Sequence, residues 1–261
     1  MTQLMGVVNV TPDSFSDGGL YLDPEAAVAH GLELAEAGAE ILDVGGESTR
    51  PGADPVGAEE ELRRVVPVVR GLAGSQVRIS VDTSKTAVAA AALEAGAEIV
   101  NDVTALRGDT EMGALCAERG VTVVLMHMLG EPRTMQEDPR YGDVVAEVKA
   151  FLAERLETAV AAGIEEDRVW LDPGIGFGKT AAHNMELLRR LGELRELGRP
   201  LVVGTSRKSF IGKVDGSAAD RRLGGTIASS VLAAAEGADV LRVHDVAEVG
   251  QALTVATAIL G

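Results

Sequence analysis

The sequence predicts a single (β/α)8 barrel spanning residues 1–261, with its active site at the carboxyl ends of the strands, and three observations carry the prediction. Short apolar, β-branched runs alternate with longer helical ones, eight of each. The short runs do not alternate polar with apolar residues, which is the pattern of parallel strands covered on both faces. The length of 261 residues suits a fold that commonly takes about 250 as one unit.

Strands are expected at Leu4–Val10, Glu40–Val44, Val77–Val81, Glu98–Asp102, Thr122–Met126, Arg168–Leu171, Pro200–Gly204 and Val240–Val243. Helices are expected at Pro24–Ala37, Ala58–Leu72, Thr86–Ala95, Glu111–Arg119, Tyr141–Ala162, His183–Leu197, Asp220–Glu236 and Val246–Leu260. Each helix supplies the crossover that parallel pairing requires. Several end on a repeated phrase, such as Glu36-Ala37-Gly38-Ala39 and Glu94-Ala95-Gly96-Ala97. Glycine just past a helix provides the left-handed stop. Eight units laid flat in a doubly wound open sheet are the alternative to a closed barrel. The Gly/Pro-rich stretches Thr11–Gly19 and Gly45–Pro55 read as long βα loops, candidates for mobile lids.

Composition excludes several function classes. Apolar residues make up 46% and aromatics only 3%, so the core must be built from Ala, Val, Leu and Ile. The formal net charge of −16 opposes binding to nucleic acid and anionic membranes. The lone cysteine, Cys116, allows no intrachain disulfide and is expected to be a packed core thiol. No apolar run approaches the roughly 20 residues of a membrane span, and no signal-peptide pattern opens the chain. A cytoplasmic protein is expected.

Polar residues gather where the strands end. Asn9, Asp43, Asp82, Asn101-Asp102, His127, Asp172, Ser206-Arg207-Lys208-Ser209 and Arg242-Val243-His244-Asp245 follow or finish the eight strands in order. Active sites of this fold form at that end. Any one of these groups could simply cap a helix or make a turn, and Asp245 is assigned to capping. Capping does not account for all eight, because several precede glycine-rich loops. Lys208, Arg242, His244 and Arg50 form a cationic group suited to a phosphate or diphosphate. Asp82, Asn101 and Asp172 form a second group able to read a flat heterocycle with several N–H donors. The run Gly174–Thr180 is neither a phosphate-binding P-loop nor a dinucleotide fingerprint, since its glycine spacing and position are wrong. No Cys/His set has zinc spacing. His30 and His183 are expected on helices as surface or packing residues.

These residues resemble the dihydropteroate synthase family of pterin-binding enzymes. The match is carried by Met5–Gly19, Asp43–Gly52, Ser80–Ser84, Asn101-Asp102, Met126–Met128, Thr134–Gln136, Asp172–Thr180, Ser206–Ser209 and Arg242–Val246. The resemblance covers nearly the whole chain. It implies a transferase of folate biosynthesis that condenses 7,8-dihydropterin-6-ylmethyl diphosphate with 4-aminobenzoate, giving dihydropteroate and diphosphate. It implies that Asn9 meets Mg²⁺ and the diphosphate. Asp82, Asn101, Asp172 and Lys208 would hold the pterin. Arg50, Arg242 and His244 would hold the diphosphate, with Thr49 beside the reacting groups. Phe15, Pro51, Phe177 and Ser209 would line the 4-aminobenzoate site, where sulfonamides compete. It also implies a homodimer through the Ala-rich late helices, Ile227–Ala235 and Leu253–Leu260. The alternative is a pterin-binding relative without synthase activity, or one serving folate-dependent methyl transfer; neither needs the diphosphate cations.

Overall fold

In a computed structural model, described at residues 2–11, 23–48, 53–131 and 133–260, eight parallel strands alternate with helices. The first half runs β1 (Gln3–Asn9), α1 (Pro24–Glu36), β2 (Ile41–Gly45), α2 (Ala58–Leu72), β3 (Arg78–Asp82), α3 (Thr86–Ala95), β4 (Ile99–Asp102) and α4 (Met112–Arg119). The second half runs β5 (Thr122–Met126), α5 (Val144–Ala161), β6 (Val169–Asp172), α6 (Ala181–Arg189), β7 (Val202–Val203), α7 (Ser209–Asp215), α8 (Leu223–Ala235), β8 (Val240–Val243) and α9 (Val246–Leu260). The strand order is 6-5-4-3-2-1-8-7. A parallel bridge between Leu171 and Leu201 joins the two ends, and Leu171 N–H donates to the Pro200 carbonyl at 2.9 Å. The sheet is therefore a nearly closed barrel, and the open doubly wound alternative is set aside.

Most elements fall where the apolar runs place them, and three differ. β7 shrinks from the expected Pro200–Gly204 to Val202–Val203: Pro200 has no N–H to give a ladder, and Leu201 N–H donates to Asp239 Oδ2 at 2.9 Å instead. The expected helix His183–Leu197 breaks into α6 and a 3-10 segment at Leu191–Leu197. The seven-residue α7 was not expected. No side-chain cap announces it; it starts after Lys208 and is stopped by Gly216 at φ +79. His183 joins a capping box at the start of α6: its N–H donates to Thr180 Oγ1 at 3.2 Å, and its Nδ1 accepts from Thr180 N–H at 3.3 Å.

A strand alternates its side chains with period two, and the barrel sorts them into two cores. The outward set, including Leu42, Val81, Val100, Leu125 and Leu241, packs with helix residues such as Val65, Leu152 and Leu187. Cys116 belongs to this core, and burial pushes its thiol up to about 12. The inward set forms a separate cluster of Met5, Ile41, Ile99, Val124, Trp170, Val202 and Val240. Each comes from a different strand. The remaining strand, β3, offers Arg78, whose guanidinium lies 5.1 Å from the Trp170 ring centroid. This plug closes the amino end of the barrel. Two residues further along each strand the inward positions become Val7, Asp43, Ser80, Asn101, Met126, Asp172, Gly204 and Arg242. On β2, β4, β6 and β8 the change from hydrocarbon to polar groups thus happens within one step of the pleat.

Candidate active site

The strand register determines which of the polar residues meet. Asn9, Gly45, Asp82 and Asn101 share one row across β1 to β4, each the Cα partner of the next. Asp102 is one residue out of phase and faces away from the lumen. Its carboxylate accepts Thr104 N–H at 2.8 Å and Leu106 N–H at 2.7 Å, which makes it a turn former. Asn101 and Asp102 are adjacent in sequence, and the pleat separates their duties.

The centre of the mouth is a charged array. Arg242 Nε donates to Asp43 Oδ2 at 2.6 Å, and Nη2 donates to Asp82 Oδ2 at 2.8 Å. Asn101 Nδ2 donates to the same Asp43 oxygen at 3.1 Å. Asp43 is completely buried, and among the described residues its Oδ1 has no partner. The sequence reading grouped Arg242 with the other cations; the structure places its guanidinium among the carboxylates instead. Burial alone would lower the Arg242 pKa, but Asp43 and Asp82 outweigh it and hold the guanidinium firmly protonated. Burial raises the Asp82 carboxyl above its ordinary range, against the opposing pull of Arg242. Asp43 is the member of this array that sequence reasoning noted but did not assign. Its inward parity with Arg242 and Asp172 was the available signal.

On the opposite wall stand Asp172 and Lys208. Asp172 Oδ1 accepts Gly174 N–H at 2.6 Å, and burial raises its carboxyl, opposed by Lys208. Lys208 Nζ donates to the Ile175 carbonyl and sits 4.5 Å from the Phe177 ring centroid. Burial lowers its ammonium to about 8. Phe177 packs on Val103, Met126, Met128 and Met135, a wall of flexible thioethers.

The loop from β6 to α6 that carries Phe177 is held from several sides. Gln136 Nε2 donates to the Gly176 carbonyl at 2.5 Å, and Tyr141 Oη donates to the Gly178 carbonyl at 2.8 Å. The buried Lys179 ammonium donates to the Gly174 and Phe177 carbonyls, both at 3.0 Å, and meets His127 Nδ1 at 2.8 Å. Burial drives Lys179 down to about 7 and His127 down to about 3. His127 is therefore a neutral acceptor bracing the loop.

His244 closes the ring beside β7. Its Nδ1 lies 2.9 Å from Ser206 Oγ, which also accepts the His244 N–H at 3.2 Å. The carboxylate of Asp245, expected only to cap α9, grips Arg207 with Nε to Oδ2 at 3.0 Å and Nη2 to Oδ1 at 2.5 Å. Arg207 sits at φ +55, so this clamp holds a strained turn between Ser206 and Lys208. Ser209 is exposed at the start of α7 and lines a cleft of about 420 Å³ with Gln136, Lys179 and Lys213. Asn9 ends β1 half-buried. Phe15, Thr49, Arg50 and Pro51 lie outside the described residues. A second depression of about 510 Å³ lies at the amino end of the barrel, over Arg78 and Trp170, and none of the residues of the mouth lines it.

Among known proteins, a family model described as pterin binding enzyme matches residues 5–244. The dihydropteroate synthase of Escherichia coli (strain K12) is 50% identical over 260 residues, covering 98% of this chain and 91% of its own. A structure of the Yersinia pestis dihydropteroate synthase in a sulfonamide drug complex superposes with a TM-score of 0.96 at 45% identity, covering 99% of this chain and 94% of that one. The Xanthomonas albilineans dihydropteroate synthase with 4-aminobenzoic acid superposes with a TM-score of 0.93 at 52% identity, covering 100% and 93%.

Proposed function

The chain belongs to the pterin-binding enzyme family and has the activity of a dihydropteroate synthase, and we propose the following account of how the barrel mouth performs it. The observation that carries the account is the inward array at the mouth, with Arg242 between Asp43 and Asp82 and with Asn101, Asp172 and Lys208 around it. A pterin ring presents several N–H donors and a carbonyl. Asp82 and Asp172 supply acceptors, Asn101 supplies both kinds of group, and Lys208 supplies a donor. Phe177 and Ser209 line the place of 4-aminobenzoate, and Phe15 and Pro51 join them by family resemblance.

The reaction breaks the C–O bond between the pterin methylene and the diphosphate, and the arylamine nitrogen then bonds to that carbon and releases one proton to solvent. The bridging electron pair leaves with the diphosphate, so negative charge grows on the leaving oxygens. Fixed cations that meet this growing charge accelerate the step, because they bind the transition state more strongly than the ground state. Arg242, held protonated by Asp43 and Asp82, is assigned that role, with His244, Arg50 and Thr49 assigned beside it by resemblance. Buried carboxylates below the ring favour the methylene cation. Ser206 and His244 are close enough for a nucleophile–base pair, but the serine oxygen is tied to the strand end. An arylamine needs no such activation.

Asn9 is the residue of the rim that suits a hard cation by the family resemblance. Among the described residues no three His, Cys, Asp or Glu side chains form a metal cage. Asn9 offers a single amide oxygen at the end of β1. That donor suits Mg²⁺ held mainly by diphosphate oxygens and water. When bound, Mg²⁺ would neutralise charge on the leaving group. The methyl-transfer alternative has no use for these cations and is not favoured.

A homodimer is proposed through α8 and α9, whose Leu232, Val255, Ile259 and Leu260 are all exposed. Sedimentation of a monomer at micromolar concentration would remove it. A cytoplasmic location is proposed from the single cysteine. Among the described residues no helix is long and apolar enough to cross a membrane. The test of the whole account is diphosphate release from the pterin substrate, with and without 4-aminobenzoate and Mg²⁺. Diphosphate release with no dihydropteroate formed when 4-aminobenzoate is present would sink the condensation.

A further inference from the structure

Buried glycines usually answer to their own protein. Either the chain needs a left-handed residue, or a neighbour leaves no room for a side chain. Gly174 meets both conditions: its φ is +64, and a Cβ there would lie 1.9 Å from the His127 carbonyl oxygen. Gly31 and Gly46 meet the second, with a Cβ 2.8 Å from Leu72 Cδ2 and Val65 Cγ2 respectively. Gly204 meets neither. It is buried on the inward face of β7, two residues past Val202. Its φ lies outside the left-handed region. The nearest atoms to an added Cβ would be Lys208 Nζ at 3.7 Å and the Cβ and carbonyl oxygen of Arg242, each at 3.8 Å. Those are ordinary contacts, so the protein has room for a methyl group.

Among the described residues only one other buried glycine combines an ordinary backbone with such room. It is Gly45, whose added Cβ would lie 3.4 Å from Asp82 Cβ. Both glycines open onto the charged array at the mouth. Alanine at Gly204 would also reduce the entropy of the unfolded chain, which favours folding. Among the described residues nothing therefore calls for glycine there.

We propose that Gly204 is a specificity-determining residue: the space left between Lys208 and Arg242 admits the edge of the planar pterin ring, and a single methyl group there shuts the ring out. The proposal rests on the reading above that Lys208 and Arg242 face the pterin. It assigns shape recognition to a position with no side chain, beside the hydrogen-bonding groups.

The test compares unmodified protein with Gly204→Ala. The probe is 6-hydroxymethyl-7,8-dihydropterin, which carries the ring without the diphosphate. Binding is measured by calorimetry and folding by thermal melting. The expected result is a melting point within about 2 °C of the unmodified protein, with affinity for the probe reduced at least tenfold. Affinity within about threefold of the unmodified protein overturns the proposal. So does a variant that fails to fold or melts far lower, because glycine would then be needed by the barrel itself. If the unmodified protein fails to bind the probe, the pterin reading falls, a result distinct from a variant that binds as well as its parent.

Discussion

The amino and carboxyl halves of the same eight strands face the same lumen and differ in chemistry. The amino half is a hydrocarbon plug of Met5, Ile41, Ile99, Val124, Trp170, Val202 and Val240, topped at one strand by Arg78. Two residues on, Ile41 gives way to Asp43, Ile99 to Asn101, Trp170 to Asp172 and Val240 to Arg242. The plug is held by burial, which is favourable without further arrangement. The mouth buries charge, which is costly unless partners are placed for it. One half therefore stabilises the barrel, and the other spends part of that stability on recognition.

Arg242→Ala is the change most able to break this division. It removes the cation proposed to meet the leaving group and leaves Asp43 and Asp82 buried without it. A loss of about 10³-fold in kcat/KM is expected, typical of removing a preorganised charge-stabilising donor. Stability should fall by about 3–5 kcal/mol, as when one partner of a buried pair is removed. Kinetics and denaturant unfolding check both. Loss of activity at full stability would show that the array is not an energetic unit. Trp170→Ala probes the plug. It should cost about 3–5 kcal/mol by cavity formation while KM for both substrates stays nearly unchanged. A large KM change without a stability loss would reverse the roles given to the two halves.

Asp172→Asn sharpens the contrast from the other side. Exchanging an acceptor for a donor should weaken pterin binding by about 10- to 100-fold, the scale of one lost buried hydrogen bond to a charged group. Stability should not fall with it. Burial raises the Asp172 carboxyl, so between its ordinary and raised values the folded state binds more protons than the unfolded one. Stability then declines as pH rises through that window, and the asparagine variant lacks the decline. Unfolding midpoints at pH 4 and pH 8 test the sign.

The smallest expected effect concerns Lys208. Burial lowers its ammonium to about 8, so the mouth loses a cation as pH rises through that value. The kcat/KM profile for the pterin substrate should fall on the alkaline side near pH 8. Lys208→Arg should move that limb out of the measurable range. An unmoved limb would assign it to another group.

Much of the site was readable from residue type and parity. Asp82, Asn101, Asp172, Arg242 and His244 finish apolar strands, and residues of one parity share a face. The same rule would have separated Asn101 from Asp102 and brought Asp43 into the site. The bracing of the β6–α6 loop could not be read that way. Lys179 and His127 are far apart in sequence, and no local pattern pairs them. Nor could the clamp of Arg207 by Asp245, because an aspartate before a helix has a local explanation that hides the distant one.

The alternation of eight strands with crossover helices, the apolar make-up of the core and the set of polar residues at the strand ends were determined by the sequence alone, since each depends on local periodicity and side-chain chemistry. Barrel closure through Leu171 and Leu201, the meeting of Arg242 with Asp43 and Asp82, and the open space at Gly204 were decided by the tertiary structure. Each depends on which strands become neighbours and in what register, and the shear of a closed sheet sets that only when all eight are in place.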